Sequence, residues 1–287
     1  MFCCVNAKTP DVPPAEHKRA IVSLVAGDKY IDLWNRLSRP NWLGYADFAE
    51  ADLILITEPL DKSERAENRS IAWQKLLVLN QPWSARYERI LWMDSDIIIS
   101  KFAENVFDYA KNQNKIGICV TDERLSEIER VLLLEKRHNL HFKAGLTSAI
   151  WREDIKNRYL KENLQPKFER IFNTGVMVLT PRLHNDLLLE TYENDDFGRS
   201  YEQVVLSHKI QERKLEAILP VKFNWGIQET VHLNLLNNPH AEKLGVPIEK
   251  IIAFFVQSEI DNGYFFHFYG SMPMMEMLVG QGLIDAA

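Results

Sequence analysis

Cysteine is scarce in this 287-residue chain, where Cys3, Cys4 and Cys119 are the full set. Three thiols make no disulfide framework, and an odd number suits a reducing compartment. The adjacent Cys3-Cys4 pair reads as part of a frayed terminus rather than as a lipidation or metal site. No apolar run reaches the roughly 18 residues that a bilayer-spanning helix needs. Residues 1–18 carry Pro10, Pro13 and Pro14 where a secretory leader would have a basic and then an apolar stretch, so a short N-terminal tail is expected. A cytoplasmic location, with room for peripheral attachment to a membrane, follows as the expectation. Basic residues are also in deficit: 34 Lys and Arg against 40 Asp and Glu give a net charge of −6. With no dense Lys/Arg block either, nothing calls for a nucleic-acid partner. Repeats, low-complexity blocks and convincing linkers are missing too, which favours one domain over residues 19–287.

What is present is ordinary globular material, 46% hydrophobic and 26% charged, enough for a full core. Ala20–Ala26 reads as a buried strand ending in the turn Gly27-Asp28-Lys29-Tyr30. Leu33, Trp34 and Leu37 have helical spacing, and Pro40 is expected to end that helix. Strand Asp52–Thr57 follows, then a helix capped by Ser70 that runs through Trp73 and Leu79. Further along, Phe102–Asn112 reads as helix, Lys115–Val120 as strand, and Thr121–Lys136 as helix. Arg170–Thr180 reads as strand, with helices over Leu183–Tyr192 and Tyr201–Glu212. Leu219–Trp225 looks extended, and Phe265–Phe268 is the last strand. Strands alternating with helices imply βαβ units and a mainly parallel sheet. The aromatic segment 138–167 has no clear period; together with the preceding helix it makes 121–167 the variable, acceptor-side candidate.

One stretch stands out chemically. Apolar Ile90–Met93 delivers Asp94-Ser95-Asp96, and apolar Ile97–Ile99 follows at once. Residues i and i+2 of an extended chain point the same way, so the two carboxylates converge. A buried strand tolerates them only if their charge is compensated, and a hard divalent cation does that. The alternative is one aspartate capping a turn with the other solvated. Ligands of parallel sheets bind beyond the strands' carboxyl ends, and the unusual residues here cluster at such ends: Gly27-Asp28, Asp94-Ser95-Asp96, Asn173-Thr174-Gly175, and His267 with Gly270. Two Asp and one His suit Mn²⁺ or Mg²⁺ with positions left for phosphate oxygens. His267 also reads as a hydrogen-bonded core histidine on a Phe-rich strand. The aromatics Trp225, Tyr264, Phe265, Phe266, Phe268 and Tyr269 read as core first and as a sugar platform second.

The motifs, in their order along the chain, resemble those of nucleotide-sugar glycosyltransferases of the GT-A fold, nearest to the glycogenin-like and galactosyltransferase-like retaining family 8. Tyr87-Glu-Arg-Ile-Leu-Trp-Met-Asp-Ser-Asp96 resembles the family's Asp-x-Asp strand, and Phe172-Asn-Thr-Gly-Val-Met177 its Phe-Asn-x-Gly-Val segment. Tyr201-Glu-Gln203 with Leu206 resembles the Asp-Gln-x-x-Leu helix start. Leu219-Pro with Phe223-Asn224 resembles the Leu-Pro…Asn stretch, and His267-Phe-Tyr-Gly270 the His-x-x-Gly segment. Ala26-Gly-Asp28 with Tyr30, and Ala72-Trp-Gln-Lys75-Leu, complete the set over roughly residues 20–272. Ala72-Trp73 and Leu91–Asp96 also resemble family 34, the xylosyl- and galactomannan-galactosyltransferases.

The resemblance implies a Rossmann-like α/β domain, a mixed and mainly parallel sheet flanked by helices. It implies a metal-dependent, retaining transferase that uses a UDP-sugar. Asp94, Asp96 and His267 would hold Mn²⁺ or Mg²⁺. Ala26, Gly27, Asp28, Tyr30, Lys75, Asp94, Ser95, Asn173, Thr174, Gly175 and Gly270 would bind the donor. Lys75 is otherwise a solvated helix lysine, Tyr30 otherwise turn packing, and Asn173 otherwise a turn residue. Gln203 would lie at the sugar's β face, a weak nucleophile, so front-face attack is the natural route. Glu202 is a nucleophile or only a favourable charge at a helix start. Three features depart from the pattern. Glu202 replaces the usual Asp, family 34 character is mixed in, and Pro273-Met274-Met275 replaces the customary Lys-Pro-Trp, leaving the diphosphate one cation short. A glycan, lipid-linked or protein acceptor is implied, and a homodimer is compatible. The competing classes are a sugar-phosphate nucleotidyltransferase, whose Gly-rich loop is missing after the first strand, and a non-catalytic carbohydrate-binding relative.

Overall fold

A computed structural model describes residues 1–6, 11–120, 125–133, 135, 155–194, 201–235, 243, 245–260, 262–269 and 272–283. Two compact units emerge, one from Met1–Ser95, Asn105–Thr121 and Ile155–Pro220, the other from Asp96–Glu104, Asp122–Asp154 and Val221–Ala287. The chain passes from one to the other repeatedly, so no single linker marks the division in the sequence.

The first unit is built on a seven-stranded sheet. Its strands are β1 (Phe2–Val5), β2 (Arg19–Leu24), β3 (Ala51–Ile56), β4 (Arg89–Met93), β6 (Ile116–Val120), β7 (Phe172–Leu179) and β8 (Glu216–Ile218), in the order β1-β3-β2-β4-β7-β6-β8; β5 belongs to the other unit. All pairings are parallel except those that β7 makes with β4 and β6. The sheet is thus mixed and mainly parallel, as expected. Helices α1 (Asp28–Leu37), α2 (Arg39–Phe48), α3 (Ile155–Lys161), α4 (Pro181–Asn194) and α5 (Gln203–Glu212) belong to the same unit. β3, β4 and β7 are buried along their whole length, which accounts for the apolar runs Leu53–Ile56, Ile90–Met93 and Val176–Leu179 within them. Ile54, Ile90, Trp92 and Met177 share one core with Leu76 and Val78 of the segment after β3 and with Leu187, Leu188 and Tyr192 of α4.

In the second unit, β5 (Ile97–Ile99) pairs antiparallel with β10 (Phe265–His267), which pairs parallel with the two-residue β9 (Trp225–Gly226). Helices α6 (Ile227–Leu235) and α7 (Ile248–Ile260) follow β9. Phe265, Phe266 and Phe268 are buried, so the aromatic cluster serves mainly as core.

Several expectations need correction. Phe2–Val5 is not a frayed tail but an edge strand beside β3; four residues were too few to show a pattern. Pro40 does not end a helix but stands in the first turn of α2, where its missing N–H costs nothing. Ile71–Asn80 is a 3-10 helix rather than an α-helix, with Ser70 capping it as expected by accepting the Ala72 N–H at 3.3 Å. Phe102–Asn112 contains only the short turn Val106–Asp108. Val221–Asn224 coils as a 3-10 turn inside a stretch expected to be extended. Strand β8 and helices α6 and α7 fall in segments for which no element was expected, and β9 starts at Trp225, the end of the stretch expected to be extended. The helix expected over 121–136 is seen at 127–133; residues 121–124, 134 and 136–154, most of the acceptor-side candidate, lie outside the described residues.

Candidate active site

In the first unit, β2 has β3 on one side and β4 on the other, a topological switch point of the kind where α/β sheets bind ligands. β2 leads into Ala26 and the turn at Gly27, whose φ of 95° is left-handed and suits glycine. Gly27 begins α1, and its carbonyl accepts the Tyr30 N–H at 3.0 Å. Ala26 is half-buried, while Gly27, Asp28 and Tyr30 are exposed. Tyr30, at 51% exposure, is therefore not packed away in the turn.

β4 ends at Met93, and Asp94 follows. The Asp94 N–H donates to the Gly175 carbonyl at 2.8 Å, so the aspartate is tied to β7 at its backbone. Its Oδ1 accepts from the Trp92 indole Nε1 at 2.8 Å and from Lys75 Nζ at 2.9 Å. Lys75 is only 3% exposed, which rules out the solvated alternative. Its Nζ also pairs with Glu202 Oε1 at 2.9 Å and reaches the Thr174 carbonyl at 3.3 Å. Burial works against charge on Lys75, yet Asp94 and then Glu202 outweigh it and hold the ammonium's pKa above its ordinary value.

Glu202 immediately precedes α5 and is buried, accepting the Thr174 hydroxyl at 2.7 Å. Its Oε2 has no hydrogen-bond partner among the described residues. Gln203 is the first residue of α5 and is half-buried. Asn173, Thr174 and Gly175 lie where the β6–β7 register slips, since Ile118 faces Met177 while Cys119 faces Asn173. The Asn173 side-chain oxygen accepts the Gly175 N–H at 2.9 Å and holds this bulge. Asn173 thus serves the local backbone at a bulge within β7, and its amide nitrogen and the second lone pair of its oxygen are what it can offer a ligand.

In the second unit, His267 ends β10 beside β5, whose strand begins one residue after Asp96. The Asp96 carbonyl accepts the Phe268 N–H at 2.9 Å. His267 Nε2 lies 3.0 Å from Asp96 Oδ1, and Nδ1 lies 2.8 Å from Asn224 Oδ1. The Tyr269 ring stands against the imidazole, with centroids 4.4 Å apart. His267, Asp96 and Asn224 are all buried. His267 is therefore both hydrogen-bonded in the core and directed at a carboxylate. Gly270 lies outside the described residues, and Ser95 makes the step between the units.

Sequence reasoning named Lys75, Asp94, Glu202 and Thr174 separately and missed that they form one network. It also missed the Trp92 indole and the Asn224 amide. Trp92 was counted as an apolar strand residue, although its ring nitrogen is a donor that must find a partner when buried. Asn224 was visible as part of a motif, with no role attached.

No protein-family model matches the chain, and no curated protein matches it. Solved structures do. A glycosyltransferase involved in the glycosylation of the major capsid of PBCV-1 is similar at a TM-score of 0.51 and 12% identity, over 90% of this chain and 99% of that one. The galactosyltransferase LgtC, solved with donor and acceptor sugar analogues, gives a TM-score of 0.46 and 11% identity, over 91% of this chain and 95% of that one. The fold is that of the GT-A glycosyltransferases.

Proposed function

We propose that this chain is a metal-dependent glycosyltransferase that moves a sugar from a UDP-sugar to a glycan, lipid-linked or protein acceptor, with retention at the anomeric carbon. The observation that carries the proposal is Asp94. It stands at the carboxyl end of β4, beside the switch point of a glycosyltransferase fold, with its Oδ1 held by Lys75 and Trp92.

Asp94, Asp96 and His267 would hold the cation. The set fits Mn²⁺ or Mg²⁺, since it offers two carboxylates and one imidazole with no thiolate. When bound, the cation supplies Lewis-acid stabilisation of the charge on the departing phosphate. Lys75, paired with Asp94 and Glu202, holds the Asp94 carboxylate in place beside the cation. The Gly27 turn and Tyr30 receive the nucleoside, with the tyrosine ring exposed for stacking. The Asn173 amide nitrogen and the bulge at Thr174-Gly175 face the sugar hydroxyls.

Glu202 is better suited to holding Lys75 than to attacking the sugar, because its Oε1 already accepts from Lys75 and Thr174. Gln203, one residue on, orients the β face while the acceptor attacks from the front. In that geometry the departing phosphate takes the acceptor's proton. Replacing Gln203 with Ala is expected to lower transfer by ~10²-fold or more with little change in stability; undiminished transfer would remove Gln203 from the account. Incubation with a panel of nucleotide-sugars and Mn²⁺ separates the classes. Nucleoside diphosphate released from one donor supports the transferase. Pyrophosphate released from a sugar phosphate plus nucleotide would identify a nucleotidyltransferase, and no turnover with donor bound would identify a binding protein.

A further inference from the structure

The imidazole of His267 has two nitrogens, and the structure gives them different neighbours. Nε2 faces Asp96 Oδ1 at 3.0 Å, and Nδ1 faces the side-chain oxygen of Asn224 at 2.8 Å. An amide oxygen only accepts, so Nδ1 must carry the proton in that contact. A neutral imidazole with its proton on Nδ1 has its lone pair on Nε2, aimed at the Asp96 carboxylate. Lone pair against carboxylate is repulsive unless something positive is shared by the two atoms. If the amide were turned over, its NH₂ would donate to Nδ1, the proton would move to Nε2, and Nε2 would donate to Asp96. Histidine and aspartate would then be a closed pair with no nitrogen left to ligate. With the amide turned over His267 cannot ligate; with its oxygen towards Nδ1, Nε2 becomes a ligand once the ring is neutral.

We propose that Asn224 is a positioning residue: its side-chain oxygen holds the Nδ1 proton of His267 and reserves Nε2, the nitrogen beside Asp96, for a divalent cation. This rests on the reading of Asp96 and His267 as cation ligands and adds the group that makes the histidine available.

Three features bear on the assignment. Asn224 is placed by main-chain geometry, as the last residue of the 3-10 turn Val221–Asn224 and immediately before β9. β9 is in register with β10, so Trp225 faces Phe266 and Gly226 faces His267, and the amide is brought to the ring's Nδ1 edge. Gly226 permits the close approach there, since a Cβ at that position would fall 2.0 Å from Glu229 Oε2 and 2.5 Å from the Tyr269 ring. The Nδ2 of Asn224 is buried with no hydrogen-bond partner among the described residues. An orphaned buried N–H is costly, a cost that an apolar residue here would avoid. A requirement for the oxygen explains why the amide is tolerated. Donation of the second ring nitrogen to an acceptor is also what fixes and strengthens imidazole ligands in general.

The test reads the tautomer first and the metal second. Nitrogen NMR of the whole chain at pH 8, with His267 assigned by comparison with His267→Gln, is expected to show Nδ1 protonated; protonated Nε2 would overturn the proposal without any metal present. Mn²⁺ titration by calorimetry follows on the wild type, Asn224→Leu, Asn224→Asp and Asp96→Asn. Asn224→Leu, close in size but without an acceptor, is expected to weaken Mn²⁺ binding ~10–100-fold, and Asn224→Asp, which keeps an acceptor, is expected to restore it. Equal Mn²⁺ affinity in Asn224→Leu and wild type would contradict the role. Loss in both variants at equal thermal stability would contradict it as well. A wild type that binds no Mn²⁺, or an Asp96→Asn variant that binds it unchanged, would instead refute the underlying cation site, which keeps the two failures distinct.

Discussion

Lys75 sits where burial works against its charge, and two carboxylates keep it charged. Asp94 and Glu202 each lie 2.9 Å from its Nζ, one partly exposed and the other sealed. Such a group is costly to break from one side, because the partner left behind is a buried charge with no compensation. Lys75→Met is therefore expected to lose about 3–5 kcal/mol of stability in urea unfolding. The double variant Lys75→Met/Glu202→Gln should regain most of that loss, since it removes the stranded charge as well. A single variant within 0.5 kcal/mol of wild type would mean that the ammonium is not buried as described. At this scale the sequence was partly legible. Asp94, Asp96 and His267 stood out because charged or polar side chains interrupt apolar runs. The partners of those side chains did not stand out, because Trp92 and Asn224 differ from ordinary core and turn residues only by which atom faces which.

Helix α4 carries a second buried titratable group, His184, fully enclosed. Its Nδ1 accepts the Thr180 N–H at 2.9 Å, which needs the neutral ring. Burial holds its pKa down, from the ordinary 6.5 to about 4. The unfolded chain then binds a proton that the folded chain refuses between those two values. The stabilisation is complete above pH 6.5 and declines as pH falls toward 4, by about 3 kcal/mol at most. Urea midpoints for wild type and His184→Gln, measured from pH 7 to 4, should converge as the pH falls; parallel profiles would contradict the neutral buried ring. Element boundaries were readable from sequence where apolar runs were long and buried on both faces, as in β2, β3, β4 and β7. They were not readable where local rules permit two outcomes. Proline both starts and ends helices, as at Pro40, and a two-residue strand such as β9 has no periodicity at all. The Gly226 contacts supply a test of that strand: Gly226→Ala is expected to cost about 1–3 kcal/mol by overpacking, read as a lower thermal midpoint. A change below 0.5 kcal/mol would mean that Glu229 and Tyr269 move aside freely.

Across the whole chain, a mainly parallel sheet was legible through β2, β3, β4, β6 and β7, because alternating strand and helix segments leave few topologies, while its outer strands β1 and β8 were not. The second unit was not, since its strands are only two or three residues long and carry no period. What the two units share is a segment of sequence, Asp94-Ser95-Asp96, with one aspartate in each. Lys75 is paired with the first carboxylate and with Glu202, and His267, which Asn224 contacts, faces the second.

The central claim is that these residues hold a cation for cleavage of a nucleotide-sugar. Release of nucleoside diphosphate from the donor that the panel identifies tests it most directly, measured with Mn²⁺, with chelator, and with Asp96→Asn. Release is expected to require Mn²⁺ and to fall by ~10²-fold or more in Asp96→Asn. Release that persists in chelator, or that Asp96→Asn leaves unchanged, would contradict it.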